Sequence, residues 1–255
     1  MPATYKPVPI SCLASAKGAS REDRRREAGK PALLRLRHNV LVSLRIGNLA
    51  GTTIDVDFSF LLLCALFVLR DFNEADPSRA VLWIPVLLVS LLAHELAHAA
   101  AIGSFGFGPS RVVLAGMGGV TFNERRARPW QDLVISLAGP LATFGVAAIV
   151  YASGQRNPFL SMLLQAKVLW GIFNLMPVPP LDGGHALRHL LRIFLAEGPA
   201  FGISTWLGVA AGAAFAVAAL TKGEIYLAVL MGYFVVLNIQ RWRAVREAMT
   251  HRKDE

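Results

Sequence analysis

The sequence predicts an all-α polytopic membrane protein of about six transmembrane helices, with a small membrane-associated β-hairpin. Three observations predict it. Of 255 residues, 54% are hydrophobic and only 17% are Asp, Glu, Lys or Arg, with a mean hydropathy of +0.47; a soluble domain carries about 25% charged residues. The apolar residues gather into runs near the length a helix needs to cross a ~30 Å hydrocarbon core. The basic residues, finally, crowd into alternate connections between those runs, as they do in membrane proteins.

Residues 1–45 hold ten Lys and Arg against three acids, so most of the formal charge of +9 sits in this stretch. The excess belongs to a basic tail, expected to be disordered and cytoplasmic. Basic patches interleaved with aromatic residues are absent, so nucleic acid is not an expected partner. The first apolar run starts only near Phe58, too late for a secretory signal. Cys12 and Cys64 lie 52 residues apart with no CxxC spacing, which predicts neither a disulfide framework nor a zinc ribbon.

The candidate spans are roughly 57–70, 80–103, 131–153, 158–178, 200–220 and 224–240. The first, FSFLLLCALFVL, is short and needs GTTIDV before it to complete a crossing. With the N-terminus inside, the inner segments are 1–56, 104–130, 183–199 and 241–255. They hold 21 of the 26 basic residues. The outer loops hold only Arg70, Arg79, Arg156 and Lys222, while Lys167 falls within a span. This asymmetry predicts a plasma- or inner-membrane protein with both termini cytoplasmic. The membrane domain is 46–240 and residues 241–255 form a second basic tail.

Two connections depart from this pattern. The stretch 110–122, SRVVLAGMGGVTF, reads as a hairpin because Gly116, Gly118 and Gly119 interrupt two β-favouring segments. Its apolar character suggests that it dips into the membrane region, where non-helical backbone survives only against protein or a wet cavity. Gly208 and Gly212 make a GxxxG, read as close packing within an alanine-rich span.

The second span contains LAHELAHA. His94 and His98 are four residues apart and share one helix face, so both imidazoles can reach one metal ion. Glu95 is turned about 100° onward, where it can handle the proton of a water beside the metal. An acidic residue near the bilayer centre costs on the order of 3 kcal/mol, so Glu95 between two histidines marks function. A catalytic zinc typically takes three protein ligands and a water. The candidate for the third is Asp182, in NLMPVPPLDGG at the end of the fourth span. Pro177, Pro179 and Pro180 must end that helix, and Gly183 and Gly184 permit an unusual backbone. Asp182 falls on the cytoplasmic side, at the depth of the cytoplasmic half of the second span. Bound zinc can contribute around 10 kcal/mol, which offsets the burial of two carboxylates.

With these residues in place, the sequence resembles the site-2 protease family of intramembrane zinc metalloproteases, over roughly 46–240. HELAH, followed two spans later by NLMPVPPLDGG, carries the resemblance. It implies one zinc held by His94, His98 and Asp182, water activation by Glu95, and a role for Asn174 in orienting substrate or stabilising the oxyanion. It implies single-pass transmembrane proteins as substrates, received as an added strand by the 110–122 hairpin. SLAGPLAT resembles the family's Gly-Pro motif, but Thr143 stands where Asn is frequent, and no polar role is assigned to it. Neither a PDZ insertion nor room for CBS domains is visible, which leaves regulation to membrane partners. His185 and His189 form another i, i+4 pair, but Arg188 and Arg192 make an interfacial amphipathic helix the better reading.

Two other classes fit parts of the pattern. A membrane zinc transporter also places His and acidic residues in spans, but it would need a chain of polar sites along a path. A catalytically silent membrane-protein binder of the same fold would have no use for both Glu95 and Asp182.

Overall fold

The computed structural model describes residues 43–123, 127–154 and 157–251. The chain divides into two units, Met1–Leu44 and Arg45–Glu255. All but the last residues of the basic tail, with Cys12, lie outside the described residues, as do Arg156 and residues 252–255.

Among the described residues the first elements are two strands, β1 (Ser43–Leu49) and β2 (Thr52–Asp57). Ala50 and Gly51, both at positive φ, join them, the backbone that a two-residue hairpin turn demands. GTTIDV, expected to lengthen the first crossing, instead enters β2. Ile54 and Val56 alternate with Thr53 and Asp55, a strand pattern in β-branched residues. The strand also gives Asp55, which is buried, two guanidinium partners: Arg111 at 2.6 Å and Arg45 at 3.4 Å. A helix crossing would have left that carboxylate in lipid.

Asp57 then caps α1 (Phe58–Arg70), accepting from the Ser59 backbone N–H at 2.9 Å. At 13 residues, α1 is only ~20 Å long. After it, α2 (Pro77–Val81) and α3 (Trp83–Ser104) form one apolar stretch, Pro77–Ser104. The chain returns as β3 (Arg111–Ala115) and β4 (Gly118–Phe122). The hairpin expected over 110–122 is present but belongs to a four-stranded sheet of order β1-β2-β3-β4. β2 pairs in parallel with β3 (Thr53 opposite Arg111), and β3 pairs antiparallel with β4 (Arg111 opposite Phe122). A parallel pair needs a crossover. Here the crossover is α1 to α3, so the HELAH helix is its return arm and is laid against the sheet. Phe60, Leu63, Cys64, Leu87, Leu91, Ala99, Val112 and Leu114 form the core between them.

The remaining helices are α4 (Pro129–Ala152), α5 (Pro158–Asn174), α6 (Asp182–Phe194), α7 (Glu197–Thr221) and α8 (Ile225–His251). Each of the six expected spans overlaps a helix, but the fourth, expected over 158–178, ends with α5 at Asn174 because the proline segment follows. Among the described residues, four stretches are long and apolar enough to cross a membrane: Pro77–Ser104, Pro129–Ala152, Glu197–Thr221 and Ile225–Ala248. The chain is a multi-pass membrane protein. α1 and α5, at 13 and 17 residues, are shorter. The last helix runs beyond residue 240 to His251, so the start of the second basic tail is helical.

Lys167 in α5 is fully buried, and its Nζ donates to the Ser90 carbonyl of α3 at 2.8 Å. A lysine in a span is tolerated where it turns inward to backbone acceptors, and this one ties α5 to α3 one turn before His94. In α6, Arg188 and Arg192 both pair with Glu197. His189 Nδ1 lies 3.8 Å from Asp132. Burial, together with Arg241, pushes the neighbouring His185 down to about 4. His189 thus joins an ionic group with Arg192 and Asp132, from which burial sets His185 apart.

Candidate metal centre

His94 and His98 face α4 from α3. His94 Nε2 is 2.9 Å from Asp182 Oδ2, His98 Nε2 is 3.3 Å from the same oxygen, and the two Nε2 atoms are 3.2 Å apart. Among the described residues, this is the one group of three or more His, Cys, Asp or Glu side chains close enough to hold a metal ion. Both histidines are buried and Asp182 nearly so.

The outer ring nitrogens explain why three donors converge. His98 Nδ1 lies 2.6 Å from the Ile135 carbonyl. A carbonyl only accepts, so that nitrogen carries the proton and Nε2 presents a lone pair. His94 Nδ1 is held 2.9 Å from Thr143 Oγ1. When His94 Nδ1 likewise donates, to the Thr143 hydroxyl, two imidazole lone pairs and a carboxylate oxygen face one another across about 3 Å, an arrangement that calls for a cation. Ligands at zinc's tetrahedral distances of 2.0–2.2 Å stand about 3.3–3.6 Å apart. The observed edges of 2.9–3.3 Å need to open by only a few tenths of an ångström to take that ion.

Space is made by glycine. A Cβ at Gly139 would collide with His98 Nε2 and come within 2.6 Å of His94 Nε2. Ile135, Gly139 and Thr143 recur every four residues on α4, so one stripe of that helix supplies a carbonyl, a gap and a hydroxyl to the two histidines. The next residue, Pro140, has no N–H to donate within α4. Thr143, whose polar role the departure from Asn leaves in doubt, orients His94. The i, i+4, i+8 stripe through Gly139 was the signal that would have found it. Thr143→Val keeps the shape and loses the hydroxyl. It is expected to weaken zinc binding ten- to a hundredfold, read by chelator competition on purified protein.

Glu95 is buried beside this group on the sheet side. Its Oε2 accepts from Thr121 Oγ1 at 2.7 Å, and the same hydroxyl lies 3.2 Å from the Glu95 carbonyl. A Cβ at Gly119 would collide with Glu95 Cγ, so β4 lies directly on the glutamate. β4 is also the edge of the sheet. The turn before it is fixed where Gly116 N–H donates to Ser59 Oγ at 2.9 Å. Asn174, at the end of α5, is buried, and its amide donates to the Trp170 carbonyl at 3.0 Å rather than into the His94–His98–Asp182 group.

The helix carrying HExxH thus meets a carboxylate delivered from beyond the end of α5, next to a sheet edge. The structure matches the site-2 protease from Methanocaldococcus jannaschii with a TM-score of 0.59 and 22% identity, covering 78% of this chain and 95% of that one. The chain carries the site-2 protease fold. No family model matches. In sequence the chain is 34% identical over 172 residues to Rip3 of Mycobacterium tuberculosis, across 58% of this chain and 44% of that protein. It is 29% identical over 156 residues to a Methanocaldococcus jannaschii protein, across 58% of this chain and 45% of the other. A Synechocystis relative is 26% identical over 225 residues, across 77% and 58%. All three carry zinc metalloprotease in their names, and the chain spans roughly half of their length. The resemblance to the site-2 protease family read from HELAH and NLMPVPPLDGG is thus met by both sequence and fold.

Proposed function

We propose that this chain is an intramembrane zinc endopeptidase that cuts the transmembrane segments of single-pass membrane proteins. The observation that carries the proposal is the convergence of His94, His98 and Asp182 on one point with Glu95 clasped beside it by the open-edged strand β4. His94, His98 and Asp182 would hold one zinc ion. When bound, zinc supplies Lewis acidity, polarising the scissile carbonyl and easing loss of a proton from the attacking water. Glu95 takes that proton and returns it to the leaving amine.

A transmembrane helix must unwind before one of its peptide bonds can be attacked, and the freed backbone groups then need partners. The outer edge of β4, last in the sheet among the described residues, offers them in the manner of strand addition. Asn174 is assigned, by resemblance, to orienting the substrate near its carbonyl. The basic segments favour a plasma- or inner-membrane protein with tails 1–45 and 241–255 in the cytoplasm and with a membrane partner supplying regulation. Purified protein in liposomes, given a single-pass test substrate and zinc, is expected to produce fragments whose masses place the cut within the apolar segment. Zinc flux into the same liposomes without any hydrolysis would instead favour transport.

A further inference from the structure

The segment between α5 and α6 carries Asp182 to the histidines, yet it has few means of holding its own shape. Pro177, Pro179 and Pro180 have no N–H to donate. The hydrogen bonds it does make internally are short-range: Val178 N–H to Met176 O at 2.7 Å and Leu181 N–H to Val178 O at 2.9 Å. What fixes it comes from α7 and α8. The Asn238 side chain on α8 is buried at 2% exposure, and its amide donates to the Pro179 carbonyl at 2.5 Å and to Phe234 O of its own helix at 2.7 Å.

From the other side, α7 is pared down to backbone. A Cβ at Gly208 would meet Pro179 Cδ at 2.9 Å and the Pro177 carbonyl at 3.0 Å. A Cβ at Gly212 would meet Val235 Cγ2 of α8 at 2.9 Å and Val178 Cγ1 at 3.4 Å. Val178, fully buried, is wedged between the two helices with Leu181, Met231 and Phe234. The GxxxG of the fifth expected span thus admits the proline segment as well as the neighbouring helix.

We infer that Asn238, Gly208 and Gly212 are positioning residues that set the height and rotation of Asp182 against His94 and His98. The inference rests on the proposal that these three hold the metal. α7 and α8 then act as a mould for a ligand that they do not themselves contain. Asn238 is the polar pin, since it supplies a donor to the carbonyl three residues before Asp182.

The test uses the full-length protein in detergent, loaded with Zn2+ for affinity and with Co2+ for its ligand-field absorption. Asn238→Leu and Gly208→Ala are each expected to weaken zinc binding ten- to a hundredfold in chelator competition and to shift the cobalt bands. In turnover they should lower kcat more than they raise KM. Asn238→Gln, which restores a donor, should recover part of the affinity. Gly232→Ala, on α8 with nothing within 4 Å of its Cβ, should change none of these. Wild-type zinc affinity and cobalt bands in both variants, with only thermal stability reduced, would overturn the inference and leave mere packing. If Asn238→Leu does not fold, Gly208→Ala and Asn238→Gln decide alone. His94→Ala separates the two levels. Loss of zinc there with full retention in the positioning variants sinks only this inference, whereas retention in His94→Ala sinks the metal centre itself.

Discussion

Glu95→Gln is expected to abolish peptide hydrolysis while leaving zinc bound. General acid–base catalysis by a placed carboxylate contributes about a hundred- to ten-thousandfold, and a neutral amide cannot take a proton from water. Metal retention follows from geometry, because Glu95 is not among the converging donors. The fold should survive as well, since the Gln carbonyl can still accept the Thr121 hydroxyl that Glu95 accepts at 2.7 Å. The measurement is cleavage of a single-pass substrate in liposomes beside metal content by elemental analysis. Full cleavage by the variant with zinc in place would dismiss Glu95 as the base.

Gly139→Ala is expected to empty the metal centre from the opposite side. Its Cβ would press into both Nε2 atoms, and neither ring can retreat while Ile135 O and Thr143 Oγ1 hold the far nitrogens. We expect at least a hundredfold loss of zinc affinity. Overpacking of a tight interior should also cost about 1–3 kcal/mol of stability. Gly145, on the same helix, has nothing within 4 Å of an added methyl, so Gly145→Ala should be neutral or slightly stabilising. Elemental analysis and thermal melts with and without zinc read both. Wild-type zinc content in Gly139→Ala would show that the rings do not hold the ion through those atoms.

The parts of the molecule legible in the sequence are those governed by local pattern. His94, Glu95 and His98 sit on one turn of one helix, and the helix period alone brings the histidines together. The prolines before Asp182 break α5 wherever that helix lies. The 110–122 hairpin announced itself through its glycines. What escaped depends on contacts between distant segments. Thr52–Asp57 is a strand because it pairs with Arg111–Leu114, more than fifty residues later, and its I-D-V-D alternation is too short to mark a strand without that partner. Thr143 and Asn238 are single polar residues in apolar helices. Each looks incidental until the partner, His94 Nδ1 or Pro179 O, is in place. The same holds for Gly119, whose missing side chain matters only because Glu95 occupies the space.

His94 and Asp182 are 88 residues apart along the chain, and that separation has a consequence in time. Synthesis at about 5–20 residues per second puts on the order of ten seconds between the appearance of HELAH and that of the aspartate. Throughout that interval the nascent chain has two imidazoles and a glutamate but no complete ligand set. The centre closes only after α4 and α5 have been laid down and the chain has doubled back. By then Ile135 and Thr143 are already there to orient the histidines. A centre assembled in this order cannot be complete before its own framework is built.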